Sequence, residues 1–265
     1  MRWLIEPQAF TNPKVYHENF KIALQDQGHL YALWNDECWD RGLPDFHEEK
    51  VLFHGSLGNA ARITRECPTW TPGAYCNVTT LAFSHWASAV GDNLLNLNHR
   101  ILPANELVAN PQVTLKALGS PDRVFVRPDS PLKEFSGRLL PADGLTLAAL
   151  DHGFYFEDET LPVMVSPAQN IGKEWRFVVV NQEVVTGSAY NPATHERIPD
   201  GFNGAALKFA VQVAQEIESP EPVYVMDVCI TQGGFKVIEF NPFSGASLYG
   251  CDLLPLVKAI GELLG

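Results

Sequence analysis

Over the first hundred residues, short apolar runs alternate with amphipathic stretches, and the spacing of apolar positions switches between the period of a strand and that of a helix. Arg2–Ile5 reads as a strand and Pro13–Gln27 as a helix. His29–Trp34 and Lys50–Phe53 read as further strands, each followed by polar loop material. Alternation of this kind predicts a small α/β layer on a parallel sheet. A loop-rich stretch follows, "CPTWTPGAYCN" and "LAFSHWASAVGDNLLNLNHRILP", and the character changes near Leu115. Val124–Arg127 is then a strand, with a loop carrying Asp129, Lys133 and Gly137. "LPVMV" is another strand, and the loop from Pro167 to Gly172 leads to a hairpin. There Trp175, Phe177 and Val179 alternate with Glu174, Arg176 and Val178, and Asn181-Gln182 makes the turn. Ala206, Phe209, Ala210, Val213 and Ile217 form one helical stripe that Ser219-Pro220 ends. Two strands, "VYVMDVCI" and "FKVIEFN", precede a closing helix, Leu253–Leu264. No repeat or low-complexity segment interrupts this α+β plan.

The last two strands contain a feature that their apolar character does not explain. Glu239 and Asn241 point to one face with Val237, while Ile238 and Phe240 take the other. On the preceding strand, Asp227 and Cys229 share a face opposite Met226, Val228 and Ile230. Asp227 lies across from Glu239 when the connecting loop has an odd length centred on Gly233. A two-residue Gly233-Gly234 loop would pair Asp227 with Phe240 and put it on the wrong side. Two acids and an amide gathered on one face repel unless burial raises their pKa values or a cation joins them. Hard oxygen donors of this kind suit Mg²⁺, which takes its remaining ligands from water and phosphate. The competing explanation is a strand edge facing water.

Composition narrows the function classes. The chain has 265 residues, 46% hydrophobic and 19% charged, and a net charge of -12. Such an acidic surface argues against coating nucleic acid, which needs clustered Lys and Arg, but leaves room for a small anionic ligand met by a few local cations. The five cysteines show no C-x-x-C, so neither a zinc ribbon nor a redox pair is indicated. "MRWLIEPQAF" turns polar too early for a signal peptide and no run approaches membrane length, so a reducing cytoplasm is expected. "HGSLG" at 54–58 comes close to a nucleophile elbow but has His54 where the first glycine belongs, and a strand-to-loop turn explains it better than a hydrolase. The eight histidines share no metal-binding spacing, and His85, His99 and His152 read as surface or loop residues.

Three segments carry a family resemblance. "VYVMDVCIT…GGFKVIEFNPFSG" resembles the closing hairpin of the ATP-grasp superfamily, where an acid on one strand and E-x-N on the next hold Mg²⁺ under the ATP phosphates. "VFVRPDSPLKEFSG" resembles its earlier strand and phosphate-covering loop, and "KEWRFVVVNQEVVTGSAY" the strand pair after its adenine hinge. "FHGSLGNAARI…WTPGAYCN…LLN" is similar to the region preceding this domain in a clade named for two arginines and a lysine. The resemblance implies a pre-ATP-grasp-like α/β domain over 1–112 and an ATP-grasp domain over 113–265, with sheets that clamp Mg²⁺-ATP.

It further implies a ligase that joins a carboxylate to an amine, less often a thiol, through an acylphosphate, releasing ADP and phosphate. The alternatives of other classes are a non-catalytic ATP-binding regulator and a kinase that stops at phosphoryl transfer. By the same resemblance Asp227, Glu239 and Asn241 hold the metal. Arg127 and Lys133 hold phosphate, with Gly137 letting the loop close, although Lys133 taken alone equally fits a solvated loop. Many members have Lys at Arg127; the arginine fork can bind phosphate in its place. Arg176, which either pairs with Glu174 or points into a cleft, stabilises the transferring phosphoryl group together with Lys133. Glu174 orients Arg176 or touches the ribose, and Met164, Val165 and Ser166 flank adenine. Small-molecule or peptide carboxylates and amines enter over "NPFSGASLYG" and the leading domain, where Ser244, Ser247 and Tyr249 offer hydrogen bonds.

Overall fold

The computed structural model describes residues 1–44, 46, 50–151, 158–194, 196–199 and 201–265. The strands are β1 (Arg2–Ile5), β2 (Leu30–Leu33), β3 (Lys50–His54), β4 (Thr71–Gly73), β5 (Arg100–Pro103), β6 (Arg123–Pro128), β7 (Arg138–Pro141), β8 (Pro162–Pro167), β9 (Glu174–Val180), β10 (Glu183–Asn191), β11 (Glu196–Arg197), β12 (Val223–Thr231) and β13 (Gly234–Pro242). The helices are α1 (Pro13–Asp26), α2 (Glu37–Arg41), α3 (Leu57–Glu66), α4 (Phe83–Val90), α5 (Ala104–Ala109), α6 (Pro111–Ala117), α7 (Leu147–Asp151), α8 (Gly204–Glu216) and α9 (Leu253–Leu264). Among the described residues no helix is long and apolar enough to cross a membrane.

The chain forms two compact units. The first comprises 1–77, 173–228 and 239–265, and the second 78–172 and 229–238. In the first, a parallel sheet of order β2-β1-β3-β4 carries the alternation expected of the leading residues. Its core is continuous with one face of a second sheet. Trp3, Ile5, Phe20, Leu24 and Leu52 pack with Val178, Val180, Val223 and Val225 and with Leu256, Val257 and Ile260 of α9. Burial of so many large side chains dominates the stability of this unit. Helix starts follow their side chains: Ser56 caps α3, Asn203 caps α8 through the amides of Ala205 and Ala206, and Asp252 caps α9.

The second sheet has the order β11-β10-β9-β12-β13, and the outer ends of β12 and β13 belong to the second unit. That unit is built on an antiparallel sheet of order β5-β8-β6-β7. Its core gathers Val124, Val126, Val163 and Val165 under Leu107, Leu115 and Leu118.

"HGSLG" is a strand-to-helix turn. Ser56 Oγ accepts from the Asn59 amide, and the Ser56 amide donates to Glu6 Oε2. A Cβ on Gly55 would stand 2.5 Å from Glu6 Cβ, so the glycine is needed for that close approach.

Candidate active site

Two hairpins set the polar face of the second sheet. Asn181 (φ 48°) and Gln182 (φ 66°) both occupy the left-handed region, as a type I′ turn requires, and they join β9 to β10 at the expected place. The resulting register pairs Arg176 with Ser188 and Glu174 with Tyr190, so these four side chains share a face. β11 adds Arg197 opposite Tyr190. In the other hairpin Gly234 has φ 102°. The turn between β12 and β13 is Gln232-Gly233, and the Asn241 amide reaches both Asp227 and Glu239, so these three side chains share one face of the sheet.

The side chains meet accordingly. Asn241 Nδ2 donates to Asp227 Oδ2 at 3.0 Å and to Glu239 Oε1 at 3.1 Å. Arg176 grips Asp227 with a two-point fork, Nε to Oδ1 at 2.8 Å and Nη2 to Oδ2 at 2.6 Å, and its Nη1 donates to the Ser247 carbonyl at 2.6 Å. The guanidinium lies 4.7 Å from the ring centre of Tyr249 and 5.4 Å from that of Tyr190. Those rings stack at 4.6 Å, and Tyr190 Oη donates to Glu174 Oε2 at 2.7 Å. Asp227 is 1% exposed and Asn241 4%, which rules out a strand edge facing water.

Burial and charge act against each other here. Burial disfavours the charge on Arg176, but the field and hydrogen bonds of Asp227 outweigh it and hold the pKa above its ordinary value. Glu174 is pushed up, chiefly by burial, with the Asp227 and Glu239 charges adding and the Tyr190 hydrogen bond opposing. Burial likewise raises Tyr190 and Tyr249.

The donor chemistry fits Mg²⁺. Asn241 spends its amide hydrogens on the two carboxylates, which leaves Oδ1 as its ligating atom. Asp227 and Glu239 bring carboxylate oxygens to the same face as that amide oxygen. The set is all oxygen, as a hard cation prefers. Among the described residues no group of three His, Cys, Asp or Glu could hold a metal; this set has two acids and an amide.

The model of the family described as "ATP-grasp domain, R2K clade family 2" matches residues 108–259. The chain belongs to that family. No curated protein matches the sequence. The fold of this ATP-grasp protein is shared with D-cycloserine synthetase DcsG (15% identity, TM-score 0.66, 100% of this chain and 99% of that one). It is shared also with the D-alanine-D-alanine ligase from Coxiella burnetii (14%, 0.65, 99% and 94%). A third such structure is the ATP-grasp ligase PsnB complexed with a phosphomimetic variant of its minimal precursor, Mg and ADP (11%, 0.57, 98% of each chain).

Within the ATP-grasp framework some expectations change. Arg176 pairs with Asp227 and not with Glu174, because Glu174 on the same strand is taken by Tyr190. Ser244 is fully buried, its Oγ accepting from the Tyr75 amide, so it offers nothing to an incoming substrate. Ser247 and Tyr249 remain half-buried beside Arg176.

The second unit holds the other predicted residues. Arg127 is buried, donates from Nε to the Pro128 carbonyl, and pairs with Met164 in the β6–β8 ladder. Met164 and Val165 are laddered to β5 on one side and β6 on the other. Ser166 lies beyond the β5 ladder but still pairs with Phe125 of β6, and its hydroxyl donates to Asn96 Oδ1. Lys133 is exposed with φ 55°. Gly137 has a packing role, since a Cβ there would stand 2.6 Å from the Phe125 ring. His85 is exposed, His99 Nδ1 bonds the Asn96 carbonyl, and His152 lies outside the described residues.

Sequence reasoning named Asp129 and His54 without assigning either the role it has. Asp129 pins the loop that carries Lys133 onto the start of α4, accepting from the Ser84 amide and hydroxyl at 2.7 Å each. His54 is wholly buried between the rings of Phe10 and Phe243, with Tyr16 Oη on Nε2, and burial lowers its pKa to about 3. Its apolar run, Val51–Phe53, was the available signal.

Proposed function

We propose that this chain is an ATP- and Mg²⁺-dependent ligase that joins a carboxylate to an amine or thiol through an acylphosphate. The observation that carries the reading is the convergence of Asp227, Glu239 and Asn241 on one face, braced by Arg176. Mg²⁺, when bound, neutralises phosphate charge. Asp227, Glu239 and Asn241 hold it; Arg176 aims Asp227 through its two-point fork and adds positive field for the transferring phosphoryl group. Arg127 and Lys133 take phosphate oxygens, Met164 to Ser166 the adenine, and Glu174 the ribose side.

In the first step an oxygen of the acid attacks the γ-phosphorus as the bond to ADP breaks. In the second the amine attacks the acyl carbon, phosphate leaves, and the nitrogen loses a proton. We assign residues 1–112 to a leading domain and 113–265 to the ATP-grasp domain, a division supported by the start of the family match at 108. The solved relatives named for D-cycloserine, D-alanyl-D-alanine and a peptide precursor support a small-molecule or peptide substrate, and the acidic composition speaks against nucleic acid.

The test is Mg²⁺-dependent ADP release across panels of acids and amines, comparing wild type with Glu239→Gln. Amine-dependent turnover that the substitution abolishes, with melting temperature retained, supports the ligase. Turnover that survives it overturns the metal assignment. A stable phosphorylated product without an amine requirement identifies a kinase, and binding without turnover a regulator.

A further inference from the structure

Within the first unit, a cavity of about 210 Å³ opens beside the polar face. It is lined by Asn12, Tyr16 and Asn19 of the α1 region, by Arg197, and by Ser247 and Tyr249. The last two connect it to the metal face, because Arg176 donates to the Ser247 carbonyl and lies against the Tyr249 ring. Resting on the ligase reading, we propose that this cavity is the acceptor subsite and takes a small amine bearing a free carboxylate, of the α-amino acid class. Arg197 binds that carboxylate and the amine end faces Ser247 and Tyr249.

Five observations carry the choice. Arg197 is cross-strand to Tyr190 and therefore projects on the same face as Arg176. Its aliphatic stem lies across Gly250, where a Cβ would stand 2.3 Å from Cδ and 2.7 Å from Cγ, so a bare main chain is needed to seat it. Glu196 also lines the cavity, but it pairs with Asn191 and takes the other face of β11, leaving Arg197, solvent-exposed in this structure, as the cation of the lining. The Asn12 side chain makes no capping hydrogen bond, and the aligned peptide dipoles at the start of α1 add a field favourable to an anion. The volume lies below the roughly 300 Å³ at which drug-sized pockets begin, which suits a molecule of amino-acid size.

The experiment measures binding by calorimetry to the whole chain loaded with Mg²⁺ and a non-hydrolysable ATP analogue. The probes are α-amino acids of both hands, the matching amino acid amides, and ethylamine. At least one amino acid should bind about 10- to 100-fold more tightly than its amide, the ratio expected from one charge-assisted hydrogen bond. Arg197→Gln should erase that preference without changing affinity for the ATP analogue, and Arg197→Lys should restore part of it. Gly250→Ala, which displaces the arginine stem, provides a second route to the same loss if Arg197→Gln folds poorly. Amides that bind as well as acids, a preference that survives Arg197→Gln, or no binding by any amino acid would each overturn the assignment. Carboxylate preference without ADP release would leave the subsite standing and sink the ligase reading; amine-dependent ADP release without the preference would do the reverse.

Discussion

Arg176→Ala removes the cation that faces a carboxylate 1% exposed, in a chain where the arginine itself is only 6% exposed. Taking one partner from a buried ion pair costs about 3–5 kcal/mol, because the remaining charge has neither water nor counter-charge. Asp227 can escape by taking up a proton. Holding a proton on an ordinary carboxylic acid at pH 7 costs about 4 kcal/mol, roughly three pH units at about 1.4 kcal/mol each. The two routes agree, so the variant should lose about 4 kcal/mol at pH 7. The deficit should shrink on acidification by up to about 1.4 kcal/mol per pH unit, as the proton becomes easier to hold. Asp227→Asn instead strands an arginine that cannot discard its charge, so its deficit should stay flat with pH. Replacing the pair by Arg176→Met with Asp227→Leu should recover most of the stability and none of the activity. Urea unfolding followed by tryptophan fluorescence reads the relevant unit, which contains Trp3, Trp34, Trp39, Trp70 and Trp175. An Arg176→Ala chain within about 1 kcal/mol of wild type at pH 8 would show a pair as weak as a solvent-exposed one and refute the reasoning.

Three further outcomes are expected. Burial raises the pKa of Glu221 to about 8, with the Asn77 amide opposing. A carboxyl raised in the folded state contributes stability below its unfolded pKa, and that stability is lost as pH climbs through the folded value. Wild type should therefore lose stability relative to Glu221→Gln between pH 5 and 8, by up to about 1.4 kcal/mol per unit; parallel thermal melting curves would contradict this. Gly245→Ala puts a Cβ 2.2 Å from Leu57 Cδ2 and 3.1 Å from its Cα, and overpacking should cost about 1–3 kcal/mol by urea unfolding. Asp129→Ala removes the acceptor that pins the Lys133 loop to α4; it should cost about 1 kcal/mol and raise KM for ATP more than it lowers kcat in an ADP-release assay.

Local features were legible in the sequence. Asn181-Gln182 announced a turn because a polar pair ends an alternating strand run, and the E-x-N spacing put Glu239 and Asn241 on one face because strands alternate. The closing helix matched its apolar stripe from Leu253 to Leu264. What escaped depends on partners distant along the chain. Arg176 meets Asp227 across 51 residues, Ser244 meets Tyr75 across 169, and Asp129 meets Ser84 across 45. No periodicity within a window reports such a pairing. α3 escaped too: its start, Ser56 with Gly58, reads as a loop until Ser56 is seen to cap it.

The segmented make-up of the first unit bears on how the protein is made. Its core joins Trp3 and Phe20 to Leu256, Val257 and Ile260 of α9, far later in the chain. On the ribosome, the apolar faces of β1 and α1 must wait uncovered while more than two hundred further residues are translated. The contiguous run 78–172 can begin to compact during that wait. Nascent chains lacking α9 should consequently be bound by holding chaperones, and release should coincide with its emergence from the exit tunnel.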